Sequence, residues 1–344
     1  MPRARNALRR LGEIIAALAF AGFVATGPAT AKTPPPVCKG NDILAAMKSD
    51  APGDHRRIMA EAEATPNGQA LFWRIERPGR PPSFLLGTIH VTDPRVLRLP
   101  DRIATAAAKA GTVVLEAIDL NEQRIGIAMA SLGTEMFFTD GRSLANFLTP
   151  GESAKISTLL RERGLPADFA SAVKPWFVSV FLALPMCEQL RAAAGLESLD
   201  QHLETMARKR GAKLIGLETI EEQFRAMAGI PLAAQVAWLK ASLKLYDRTN
   251  DSLETMIRLY LGRRIGAIWP LTRVMIANER LAKAGIRDFQ HALITVRNQR
   301  MRQRLGPILD KGGAFVGVGA LHLGGAEGLV ALLRQDGYRV VPAE

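Results

Sequence analysis

The chain has 344 residues, 48% of them hydrophobic, with 45 lysines and arginines against 33 aspartates and glutamates for a formal net charge of +12. That length suffices for one large domain or two modest ones, burying roughly three quarters of the unfolded surface. The basic residues are scattered, as in Arg208-Lys209-Arg210 and over 297–304, with few aromatics among them, so a nucleic-acid partner is not expected. The charge suits a solvated surface drawn to a membrane or an anionic polysaccharide.

In chain order, Arg3, Arg5, Arg9 and Arg10 precede an apolar run over 14–24, and Ala29 and Ala31 form a small-residue cleavage site. This reads as a secretory signal peptide over 1–31, its apolar run being too short for a span of roughly 20 residues. Cleavage after Ala31 leaves 313 residues, 344 less 31, and removes four arginines and one glutamate, so the mature charge is +9. The expected destination is the periplasm or the cell exterior. Residues 32–40, with Pro34-Pro35-Pro36, form a linker. Cys38 and Cys187 are the two cysteines. In an oxidising compartment such a pair favours a disulfide, worth at most roughly 5 kcal/mol by chain entropy. Whether the two lie close is not readable from the sequence.

A helix is expected over 41–64, then a hairpin of strands 71–76 and 83–89 around the Pro/Gly turn 78–82. A short helix over 101–110 leads into a buried strand over 111–116. Helical periodicity fills 121–210, divided at Pro150, Pro166, Pro175 and Pro185. A strand over 213–218 follows, then a second helical region over 221–303 with breaks near Pro231 and Pro270. The chain closes with a strand over 314–318, a helix over 325–335 and a strand over 338–341. Strands flanking two large helical insertions predict an α/β or α+β fold in one domain over 41–344, with a central mixed sheet and flanking helices.

Two strands run into Gly-x-x-His: Gly87-Thr-Ile-His90 and Gly319-Ala-Leu-His322. Two others end in Leu-Glu, at Glu116 and Glu218. The order His, Glu, Glu, His suggests two related halves, or one site assembled from four strand ends. Side chains at the carboxyl ends of buried strands converge on the crevice where open α/β sheets bind ligands. Two imidazoles and two carboxylates there offer four N/O ligands for Zn²⁺, Mn²⁺ or Co²⁺, with coordination left for water. Such a metal would acidify that water and polarise a carbonyl, and a carboxylate off the metal would serve as general base. Gly87 and Gly319 would let the backbone turn tightly and approach the ligand. The bland alternative is that each histidine is a hydrogen-bonded structural residue. His55, His202 and His291 lack the strand context and read as structural or surface residues. The chain carries no Gly-x-Ser-x-Gly elbow, His-Glu-x-x-His helix or phosphate-binding loop.

The pattern resembles the TraB/GumN family, which includes the TIKI metalloproteases and is related to erythromycin-esterase-like folds. The matching stretches are Leu71-Phe-Trp73, Leu85-Leu-Gly-Thr-Ile-His90-Val, Leu115-Glu116, Lys174-Pro-Trp176, Leu199-Asp200, Gly216-Leu-Glu218-Thr with Gln223, Arg297-Asn298, and the run 316–329 around His322. The resemblance maps the family's paired histidine motifs onto His90 and His322 and its strand carboxylates onto Glu116 and Glu218. Its Arg-Asn pair falls on Arg297-Asn298, with Val296 where an acidic residue is frequent. It implies a divalent-metal-dependent hydrolase that cleaves a peptide bond near the substrate's N-terminus, Arg297 steadying a carboxylate or the oxyanion. Bacterial relatives have been linked to exopolysaccharide production and to control of peptide pheromones. Two other readings stay open: a metal-independent, esterase-like hydrolase with a histidine base, and a non-enzymatic periplasmic protein that binds a peptide or polysaccharide.

Overall fold

Six short apolar runs pair into one sheet in a computed structural model that describes residues 35–165, 169–276 and 280–343. The signal peptide expected over 1–31 lies outside these residues. The strands are β1 (Phe72–Glu76), β2 (Ser83–Thr88), β3 (Thr112–Leu115), β4 (Lys213–Gly216), β5 (Ala314–Gly319) and β6 (Arg339–Pro342), in the order β4-β3-β5-β2-β1-β6. β4, β3, β5 and β2 are parallel, whereas β1 runs antiparallel to β2 and β6. The sheet is therefore mixed and the fold is α/β. β5 is buried along almost its whole length, so its sequence is continuously apolar instead of alternating.

Helices differ from expectation where proline and glycine act. The helix expected over 41–64 is two, Ile43–Asp50 and Pro52–Ala64, because Pro52 starts the second. Pro150 and Pro175 likewise open the helices Pro150–Arg161 and Pro175–Ala183, and Pro185 caps Met186–Ala193. Pro166 lies outside the described residues. The helix expected from 325 begins only at Leu329, after a tight 3-10 turn over Ala320–His322 and Gly325 at φ +90°. The second helical region contains a one-turn π-helix, His291–Thr295, and ends in the helix Val296–Leu309.

Two cores result. One surrounds the sheet and includes Phe72, Leu85, Leu115, Phe315 and Val316. The other is built from helical segments alone, with Leu132, Leu160, Trp176, Phe177 and Leu239. Among the described residues no single helix is long and apolar enough to cross a membrane; one bent pair, Ile220–Ala228 with Leu232–Leu261, passes by length and composition, with a 96° break. Cys38 and Cys187 form a disulfide, Cα–Cα 5.4 Å, that ties the segment before the first helix to Met186–Ala193.

The parallel register decides where the chemistry falls. Thr88 pairs with Gly319, and Leu115 pairs with both Gly317 and Gly216. Backbone bonds from Glu116 N to Gly317 O (3.1 Å) and from Glu218 N to Glu116 O (2.8 Å) carry the ladder one step past the strands. The ends of β2, β3, β4 and β5 therefore lie along one edge, and the four residues singled out in the sequence follow directly from them.

Candidate active site

Glu116 is the hub. Its carboxylate is buried, 5% exposed, at the end of the interior strand β3. Oε2 accepts from the Gly319 N–H at 2.9 Å and lies 4.0 Å from His90 Nε2. Oε1 accepts from Gln223 Nε2 at 3.2 Å and from Arg297 Nη2, and lies 3.9 Å from His322 Nε2. Burial alone would raise this carboxyl, but His322, the Arg297 guanidinium, His90 and the Gly319 N–H outweigh it and hold it at about 2. As the side chains stand, Glu116 is a fixed negative charge at neutral pH.

Each histidine presents Nε2 to this carboxylate because its Nδ1 is held from behind. His90 Nδ1 lies 2.7 Å from Asp200 Oδ2, and the other Asp200 oxygen accepts from Thr88 Oγ1 at 2.7 Å. The Asp200 charge pushes His90 up to about 9 against the opposing effect of burial, although 60% of its side-chain surface is open. His322 is 3% exposed, and burial drives it down to about 4, so it is neutral at pH 7. Its Nδ1 lies 2.6 Å from Asn298 Oδ1. Asn298 donates through Nδ2 to the carbonyls of His322 (3.3 Å) and Glu327 (2.8 Å), so its oxygen must accept from His322. His322 therefore carries its proton on Nδ1 and its lone pair on Nε2, facing Glu116.

Glu218 is held by two arginines. Its Oε2 accepts from Arg297 Nε at 2.8 Å and its Oε1 from Arg300 Nη1 at 3.0 Å. Both of its oxygens are thus engaged by guanidinium groups as the side chains stand. Arg297, 8% exposed, bridges Glu116 and Glu218. As the side chains stand, no set of three or more His, Cys, Asp and Glu among the described residues is arranged to hold a metal ion. What remains is a face of three donors of suitable type, His90 Nε2, His322 Nε2 and Glu116 Oε2, around a small hollow. A Cβ built on Gly319 would enter it, 3.2 Å from Glu116 Oε2, 3.5 Å from His322 Cδ2 and 3.8 Å from His90 Nε2.

The two motif glycines act through space and not through turning, for neither has a positive φ. Gly319 leaves the hollow open. Gly87 instead admits the turn after β5: an added Cβ would lie 2.7 Å from Leu323 Cδ1 and 3.0 Å from Ala320 Cα. His55, His202 and His291 are not among the residues brought together; His202 lies 3.4 Å from Glu197, which stands just before the cap of its helix. Asp200, Thr88, Gln223 and Arg300 belong to the site but had no role assigned from the sequence. Arg300 was findable, since it stands one turn after Arg297 on the same helix face.

The profile of the TraB/PrgY/gumN family matches residues 71–342, which begin at β1 and end in β6. The chain belongs to the TraB/PrgY/gumN family. It is similar to metalloprotease TIKI2 of Danio rerio, 24% identical over 317 residues that cover 79% of this chain and 60% of the relative. It is also similar to metalloprotease TIKI1 of Xenopus tropicalis (24%, with 79% and 61% covered) and of Homo sapiens (24%, with 86% and 66% covered). The chain thus spans roughly 60–66% of the length of these curated relatives. No solved structure matches.

Proposed function

We propose that the protein is an exported hydrolase that cleaves peptide bonds with a divalent cation (Mn²⁺, Co²⁺ or Zn²⁺) held by His90, His322 and Glu116. One observation carries the reading: two imidazole Nε2 atoms flank one buried carboxylate at 4.0 and 3.9 Å, over a hollow that Gly319 keeps open. Ligands sharing an ion with bonds near 2 Å stand roughly 3–4 Å apart. Both Nδ1 atoms are fixed by oxygen acceptors, the arrangement that orients metal-binding histidines. The names of the relatives, metalloproteases, agree with it. When bound, the cation would acidify water and polarise the scissile carbonyl. The chain's own residues do the rest. Asp200 and Asn298 aim the rings, Gln223 and the Gly319 N–H orient Glu116, and Arg297 with Arg300 neutralises the two buried glutamates.

Protein stripped with a chelator and resupplied with each ion should regain cleavage of a fluorogenic peptide library. His90→Ala should lose metal uptake, measured by elemental analysis, and at least about 100-fold in rate. Metal content equal to wild type in that variant would sink the reading.

A second reading is favoured by the charge balance. Glu116, Glu218 and Asp200 face Arg297, Arg300 and a protonated His90, three against three. Here the His322 Nε2 lone pair takes a proton from water and His90 gives one to the leaving group. Hydrolysis that survives complete chelation would select this version.

A further inference from the structure

The site so far accounts for how the His90 ring is aimed, but not for what holds its backbone. β2 ends at Thr88, and His90 sits in the connection that follows it. Two residues on, Thr92 is 4% exposed and gripped on every polar atom. Its N–H donates to Glu188 Oε2 at 3.0 Å, and its hydroxyl lies 3.1 and 3.2 Å from the two Glu188 oxygens. Arg191 Nε donates to that hydroxyl at 2.7 Å, and Arg191 Nη2 to the Thr92 carbonyl at 2.8 Å. Between the grip and the imidazole lies only Val91, itself 2% exposed.

Glu188 and Arg191 are 4% and 9% exposed and lie 3.6 Å apart, one turn apart on the helix Met186–Ala193. A buried ion pair is a poor source of net stability, because desolvation offsets its attraction. Its use here is geometric: two charged forks fix one threonine in place. The helix has eight residues, too short to hold itself without packing. Its first turn contains Cys187, bonded to Cys38, and Arg191 Nη1 also donates to the Pro36 carbonyl at 3.4 Å. The segment so tied is pinned further along by Asn41 N to Asp251 Oδ1 (2.8 Å) and Ile43 N to Thr255 Oγ1 (2.8 Å).

We propose that Glu188 and Arg191 are positioning residues for His90, acting through Thr92, and that the Cys38–Cys187 bond anchors the helix that carries them. The proposal rests on the reading of His90 as a residue of the reaction centre. Its test separates the two. In Glu188→Gln, in Thr92→Val and in the Cys38→Ser/Cys187→Ser double variant, kcat should fall about 10- to 100-fold with KM changed less than about threefold, as for slight misplacement of a reacting group. Thr92→Ser, which keeps the hydroxyl, should recover most of the rate lost in Thr92→Val. The ring Cε1–H resonance of His90 should shift or broaden in the three variants while that of His322 stays put. This readout holds even if the wild-type protein hydrolyses nothing. A folded Thr92→Val or double-cysteine variant with an unmoved His90 resonance would overturn the proposal, whatever becomes of the hydrolase reading. Should Glu188→Gln fail to fold, those two variants decide.

Discussion

The ends of β2 and β5 carry the same Gly-x-x-His spacing and face the same carboxylate, yet they make opposite acids. His90 keeps an open face and leans on a charged partner, Asp200, so with no cation on Nε2 it stays protonated up to about pH 9. His322 is enclosed and leans on a neutral amide, Asn298, so it stays neutral down to about pH 4. A repeated motif delivers two imidazoles to one place. The residues behind them, contributed by two different helices, decide what each imidazole is.

Exchanging those residues should have the largest effect. Asn298→Asp would set a charge behind His322 and raise its pKa through neutrality. The rate at pH 7 should then drop at least about 100-fold and recover in part as the pH rises. Asp200→Asn should do the reverse at His90, lowering its pKa toward 6.5 with a loss of about 10- to 100-fold. NMR titration of the two rings checks both; unchanged titration in either variant would break the comparison.

The next effect is on stability, and the two ends carry opposite signs. His322 is depressed from 6.5 to about 4, so within that window the unfolded chain binds a proton that the folded chain refuses. Stability should fall by about 3 kcal/mol as the pH drops through it, read by denaturant titration. Glu116, depressed from 4.5 to about 2, adds a loss in the same direction at lower pH. His90 is raised, so its contribution is complete below 6.5 and is lost as the pH climbs through about 9. His322→Gln should flatten the slope between pH 6.5 and 4; an unaltered slope would contradict the buried neutral imidazole.

The smallest effect separates the glycines. Gly87→Ala should cost about 1–3 kcal/mol of stability by crowding Leu323 and Ala320. Gly319→Ala meets softer contacts, at 3.2 Å and beyond, and should act mainly on rate by filling the hollow between the donors. If the two alanines affected rate and stability alike, the division of labour between the strand ends would be wrong.

Much of this was legible in the sequence because burial on both faces makes parallel strands continuously apolar. β2, β3 and β5, and with them the arrival of His90, Glu116 and His322 at one edge, follow from such runs, whereas β1, β4 and β6 are shorter on burial and are read from their flanking turns. The helices were legible as periodic segments but not in their exact limits, since Pro52 and Gly325 act locally. The partners were harder to read. Asp200 stands in the first turn of a helix capped by Ser198, where an acid is favoured on helix grounds alone. Glu218 looked like a ligand because the guanidinium groups that engage it come from 79 and 82 residues further on. Nothing in local spacing distinguishes a carboxylate that awaits a cation from one already satisfied by arginine.

The strand order has a temporal consequence. β5, near the C-terminus, lies between β3 and β2, which come from the first third of the chain. Until that late segment slots into the middle, Glu116 has neither the Gly319 amide nor His322, and the two halves of the sheet have nothing to join them. A partly made chain therefore holds its reactive groups apart, and competence arrives in one step when β5 seats.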